Sequence, residues 1–83
     1  MEKLAQEIWI FNGEPVQFFG LPFSTRMTVV RLAGGYLWVH SPIRLSESIT
    51  RQIDSLGSVK YLIAPNHLHH LFLSAWIAAY PNA

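Results

Sequence analysis

Tyr36-Leu37-Trp38-Val39-His40-Ser41-Pro42 and Val59-Lys60-Tyr61-Leu62-Ile63-Ala64 bracket the stretch that decides the fold. The first run is aromatic and β-branched, and Ser41-Pro42 breaks it. Between the two, Leu45, Ile49, Ile53 and Leu56 recur at helical spacing. Ser46 is a good N-cap type and Gly57 stands where a C′ glycine closes a helix. Glu47 and Arg51 form an i,i+4 pair on the wet side. After Lys60 the second run alternates little, which predicts a strand covered on both faces. Strand, helix, strand over residues 36–64 predicts a parallel βαβ unit with a right-handed crossover. Ligands in such sheets gather beyond the carboxyl ends of the strands, here His40-Ser41 and residues 66–70.

Working toward the N-terminus, Gly34-Gly35 reads as a two-residue hairpin loop after a strand from Met27 to Ala33. That loop sets Leu32 opposite Leu37 and Val30 opposite Val39, with Arg31 across from Trp38 and Val29 across from His40. Ile8-Trp9-Ile10-Phe11 is a further strand, and Asn12-Gly13 predicts its turn into a partner over Val16 to Phe19. Gly20 and Pro22 then mark a loop.

Working toward the C-terminus, Ala64-Pro65-Asn66-His67-Leu68-His69-His70-Leu71-Phe72 gathers three of the four histidines. A helix is expected from about His69 to Tyr80, and it is apolar nearly all round. Neutral imidazole is a good ligand for Zn, Fe, Ni or Cu, so the cluster can hold a divalent metal. The spacing is equally that of a capping or core His69 and a solvated His67.

Half the 83 residues are apolar and 13% are charged, against about 25% in an ordinary domain. So short a chain needs more polar surface than average, so the excess predicts burial against something else. Two such partners are expected: a C-terminal half that is missing, or a second copy joined through the apolar final helix with Trp76, Leu73, Ile77 and Tyr80. The six Lys and Arg form no basic stripe, which argues against nucleic acid. With no cysteine, disulfides and thiolate metal sites are excluded. Charged Glu2, Lys3 and Glu7 do not suit a signal peptide, and no apolar run reaches the roughly 20 residues of a membrane span. The expected compartment is the cytoplasm.

Position and spacing add a resemblance. The strand, the loop Pro65-Asn66-His67-Leu68-His69-His70 and the following helix resemble the metallo-β-lactamase superfamily motif H-x-H-x-D-H. On that motif Pro65 takes the first His, His67 the second, His69 the Asp and His70 the last His. Leu37-Trp38-Val39-His40-Ser41-Pro42 is similar to the strand that ends in Asp-Thr-Gly, with His40 in place of Asp. A closer resemblance is to an uncharacterised bacterial and plant domain of unknown function assigned to that fold. Its runs match Leu21-Pro22-Phe23-Ser24-Thr25-Arg26-Met27-Thr28, Leu37 to Ile43, and Ala64-Pro65-Asn66 with His69-His70-Leu71-Phe72. The resemblance implies an α/β (α+β) chain forming the N-terminal half of a metallo-β-lactamase-like αββα sandwich: antiparallel hairpins, a βαβ unit, then an apolar helix. It implies one incomplete metallo-hydrolase-like domain over residues 1–83.

The implied metal ligands are His69, His70 and His67, for Zn or Fe, with His40 and Asn66 as groups that orient those ligands or the substrate. Full-length relatives are then metal-dependent hydrolases, while this chain alone is inactive because Pro65 cannot ligate and the remaining ligands belong to the second half. The alternative is a non-catalytic pseudo-enzyme or interaction module whose histidines are structural.

Overall fold

The computed structural model describes the backbone of residues 1–18, 21–64 and 67–83, and the side chains of 1–13, 25–64 and 72–83. Five strands and two helices follow in the order β1 (Glu2–Ala5), β2 (Ile8–Phe18), β3 (Leu21–Arg31), β4 (Tyr36–His40), α1 (Glu47–Leu56), β5 (Ser58–Ile63) and α2 (His67–Ala79). The sheet order is β1-β2-β3-β4-β5. The first four strands are antiparallel neighbours, and β5 returns parallel to β4 through α1, as the strand–helix–strand pattern predicts.

Helix α1 follows its sequence signals. Ser46 is extended at the N-cap and its hydroxyl accepts from the Ile49 amide at 3.2 Å. Ile53 is buried, and Leu45, Ile49 and Leu56 pack around the core. Gly57 donates its amide to the Ile53 carbonyl, but its φ of 160° is extended, not left-handed. Glycine is required there by contact: a Cβ would lie 2.2 Å from the Gly35 carbonyl oxygen.

Alternation puts Trp9, Phe11, Met27, Val29, Leu37, Val39 and Val59 on one face of the sheet. All are buried, in one core with Ile43, Ile53 and Trp76. Both helices lie on that face. The expectation that β5 is covered on both sides is therefore corrected, since Tyr61 and Ile63 are 45% and 39% exposed on the outer face. Ile8, Ile10, Val30 and Trp38 are only half-covered there. The expected exposed stripe on the last helix is narrower than its composition suggests. Among the described side chains of α2, Trp76 is fully buried and Ile77 is the large apolar residue left open, at 54%.

Two turn readings are corrected. Asn12-Gly13 is no hairpin turn: β2 runs through it to Phe18, with a register shift between Gly13 and Val16. Gly13 serves close approach, because a Cβ would come within 2.3 Å of Thr25 Oγ1 and 3.0 Å of Ile43. Phe18 pairs with Leu21, and Pro22, expected in a loop, sits within β3 opposite Gln17. Phe19 and Gly20 lie outside the described residues.

The second correction concerns Gly34-Gly35. The Leu32 amide donates to the Tyr36 carbonyl at 2.7 Å and the Gly35 amide to Leu32 at 3.2 Å, so the loop has three residues. Gly34 and Gly35 hold φ of 86° and 81°, a pair of left-handed positions that suits glycine. The extra residue slips the expected pairing by one: Val29 faces Val39, Val30 faces Trp38 and Arg31 faces Leu37.

Candidate functional site

The parallel pair fixes where His40 stands relative to the start of α2. His40, the last residue of β4, is in register with Ile63, the last of β5. The Ser41 amide donates to the Ile63 carbonyl at 2.7 Å, so the two strand ends are tied together. Helix α2 begins four residues later, with His67, His69 and His70 all among its first four positions. The carboxyl edge of the β4–β5 pair therefore carries His40 and leads directly into the histidine turn of α2. The helix starts at His67, two residues earlier than its sequence suggests, so His67 is helical and not a loop residue. The side chains of His67, His69 and His70 lie outside the described residues, as does Asn66 altogether.

His40 is held from two sides. Its ring stacks on Trp38, centroids 5.3 Å apart and planes 22° apart. Its Nδ1 lies 2.9 Å from Ser41 Oγ. Ser41 is buried and has a φ of 63°, in the left-handed region that non-glycine residues avoid. Pro42 and Ile43 follow into the core, where the Ile43 carbonyl accepts from Trp76 Nε1 at 2.7 Å. Thus the segment after β4 is clamped between the end of β5 and the middle of α2.

Sequence reasoning passed over Arg44, which leaves the core just after Ile43. Its guanidinium lies 5.1 Å from the ring centroid of Phe72 in α2. It lines a cleft of about 150 Å³ with Asn12, Gly13, Ile43, Ser46 and Ile49. The available signal was its place in the crossover just beyond a strand's carboxyl end, where ligands gather. Among the described residues, no three His, Cys, Asp or Glu side chains come together as a metal cluster.

The opposite end of the sheet is tied by charge. Arg31 forms a bidentate ion pair with Glu7, and its second contact there is Nη2 to Oε1 at 3.1 Å. It also donates to the Leu56 carbonyl at the end of α1, at 3.0 Å. The expected Arg31–Trp38 contact is replaced by Trp9, whose ring lies 4.9 Å from the guanidinium carbon, because the three-residue loop moves Arg31 off Trp38. The hydrogen bond from Arg31 holds the Glu7 carboxyl below the usual carboxylate range, and the same bond raises Arg31. Glu7 itself has a φ of 64° in the β1–β2 turn. Elsewhere, burial and the Asp54 carboxylate, which accepts from the Tyr80 hydroxyl at 3.1 Å, push Tyr80 up to about 12.

Comparison with known proteins adds one finding. A family model described as a domain of unknown function, DUF4336, matches residues 5–83. The chain belongs to the DUF4336 family. In this DUF4336 domain the match spans every strand and helix described above except the first residues of β1. No curated protein matches the chain. No solved structure matches it either. Among the described residues, no helix is long and apolar enough to cross a membrane.

Proposed function

We propose that this domain is a degenerate relative of the metallo-β-lactamase type that holds a divalent cation, Zn or Fe, at the carboxyl edge of β4 and β5. One observation supports the reading above others: the parallel pair ends at His40 and Ile63, and the chain re-enters a helix at His67 with three imidazoles in four positions. Residues three apart in a helix are neighbours, so His67 and His70 are the natural ligand pair. His69 is the third ligand in this reading. His40 and Asn66 are the orienting groups. An all-imidazole set brings no negative charge, so the cation keeps its full attraction for an anionic or water-derived ligand. His67, His69 and His70 would hold the metal, which would supply the Lewis acidity that hydrolysis needs. His40, whose ring is held against Trp38, would orient a bound ligand by a hydrogen bond.

Metal analysis of the purified chain after reconstitution with Zn²⁺ tests the reading. About one equivalent is expected in the parent, lost in His70→Ala and in His67→Ala. A parent that retains no metal after desalting overturns it.

A second reading, a non-catalytic interaction module with structural histidines, is favoured by the outer face of the sheet. Ile8, Ile10, Thr28, Val30, Trp38, Tyr61 and Ile63 carry no charge across its centre, and the last two are well exposed. An uncharged apolar face is complementary to itself, and two-fold pairing is the commonest way to cover one. A second copy is then the partner, through this face and not through α2 alone. Light scattering that returns a dimer supports it, and a monodisperse monomer at high concentration counts against it.

A further inference from the structure

Ser41 raises a question that the metal reading leaves unanswered. A serine at φ 63° is strained, and Pro42 behind it favours an extended conformation instead. Glycine is free of the steric cost at such a φ. Outliers of this kind persist where the surroundings force them, and they cluster at functional sites. The Ser41 side chain is buried, and among the described residues its hydroxyl has one hydrogen-bond partner, Nδ1 of His40. A buried hydroxyl that lacks an acceptor is costly, so its proton belongs on the bond to Nδ1. Neutral His40 then carries its own proton on Nε2. No described residue accepts from that nitrogen.

We propose that Ser41 is a positioning residue, which holds neutral His40 as an Nε2–H donor beside Trp38, on the outer face at the carboxyl end of β4. His40 is thereby a poor first-sphere metal ligand, because Nδ1 is occupied and Nε2 is protonated. Instead it offers a hydrogen bond to an acceptor oxygen of a bound ligand, such as a carboxylate, phosphate or carbonyl. The Trp38 stack sets the plane of the ring and the Ser41 hydroxyl sets its rotation, so the donor is fixed before a ligand arrives. That last role rests on the ligand edge proposed above, whereas the tautomer does not.

Long-range proton–nitrogen NMR on the full chain labelled with ¹⁵N-histidine, metal-free and mildly alkaline, reads the tautomer directly. The expected result is a pyrrole-type Nε2 and a pyridine-type Nδ1 for His40, assigned by its absence in His40→Gln. Ser41→Gly and Ser41→Ala are expected to shift both His40 nitrogens, as the ring loses its anchor. Ser41→Gly is also expected to melt higher than Ser41→Ala, since only glycine accepts the left-handed backbone. A proton on Nδ1 in the parent, or His40 nitrogens unmoved in both variants, overturns the proposal. Zn²⁺ is then added to the same sample. Broadening or shifts at His67 and His70 with His40 still protonated at Nε2 support both readings. If Zn²⁺ moves no histidine, the metal reading fails while the Ser41–His40 result stands.

Discussion

Trp76→Phe is the substitution that most directly tests how this core is closed. Trp76 has no exposed surface, and its Nε1 donates to the Ile43 carbonyl at 2.7 Å. Phenylalanine keeps an aromatic ring next to Cβ but removes the N–H donor and the outer part of the fused ring system. Leaving a buried carbonyl without its partner costs about 1–3 kcal/mol. The lost ring atoms cost about 1–2 kcal/mol more, at ~0.8 kcal/mol for each methylene-sized group withdrawn. The expected sum is about 2–5 kcal/mol, against a total stability of about 4–12 kcal/mol for a chain of this length. Urea unfolding followed by circular dichroism measures it. With an m-value near 1 kcal/mol per M, the midpoint falls by about 2 M or more. Ile77→Ala, one residue along and 54% exposed, is the control and should change stability by less than about 0.5 kcal/mol. A Trp76→Phe midpoint indistinguishable from the parent's, at an unchanged m-value, would refute the claim that α2 is pinned to the β4–α1 connection through this bond.

Gly57→Ala is expected to cost about 1–3 kcal/mol by the same assay, because its Cβ lies 2.2 Å from a backbone oxygen that cannot rotate away. Gly35→Ala meets nothing within 4 Å, and its cost of about 1–2 kcal/mol comes from the φ of 81° alone. The raised Tyr80 contributes stability that is fully present below pH 10.0 and is lost as pH rises toward about 12, so Tyr80→Phe should flatten alkaline unfolding over that window. Lowering of the Glu7 pKa contributes stability present above the usual carboxylate range and lost as pH falls through the folded value, so Glu7→Gln should blunt acid unfolding when midpoints are compared across pH.

The sequence made the βαβ unit legible because three signals of different kind agreed there: a β-rich run on each side, a 3.6-residue apolar stripe, and a Ser and a Gly at the helix ends. Agreement of that sort was missing further upstream. Asn12-Gly13 is a strong turn signal taken alone, yet glycine has two uses. The one that applies depends on Thr25 and Ile43, which are distant in sequence. Loop length at Gly34-Gly35 was equally open, since two or three residues fit the same letters and differ only in which residue is paired first. That ambiguity changed both the register and the face that β3 turns to the core. It moved Arg31 from Trp38 to Trp9, and it put Val29 in the core beside Leu37 and Val39 where Val30 was expected. Strand β1 is exposed along its whole length and offered no apolar pattern to read. At the candidate site, the carboxyl-edge rule located His40 and the helix start. It could not reveal that Ser41 is left-handed, because nothing in the letters Ser-Pro asks for it.

The two ends of the β4–β5 pair are built on opposite terms. At the end where β5 begins, Ser58 and Gly57 close on Gly35, and Arg31 bonds to both Glu7 and the end of α1. Those contacts are a favourable ion pair, hydrogen bonds and tight packing. At the carboxyl end the chain instead holds a strained serine, an imidazole on an aromatic ring, and a helix that starts with three histidines in four positions. A cation beside the positive N-terminal end of α2 is electrostatically unfavourable, so a metal there must be held by its ligands against the helix dipole. The same dipole favours an anion that shares the metal. That asymmetry predicts tighter Zn²⁺ binding in phosphate than in an uncharged buffer of equal free Zn²⁺, the reverse of what competition for free metal alone would give. Calorimetric titration in the two buffers decides it, and equal or weaker binding in phosphate would argue that the cation sits away from the start of α2.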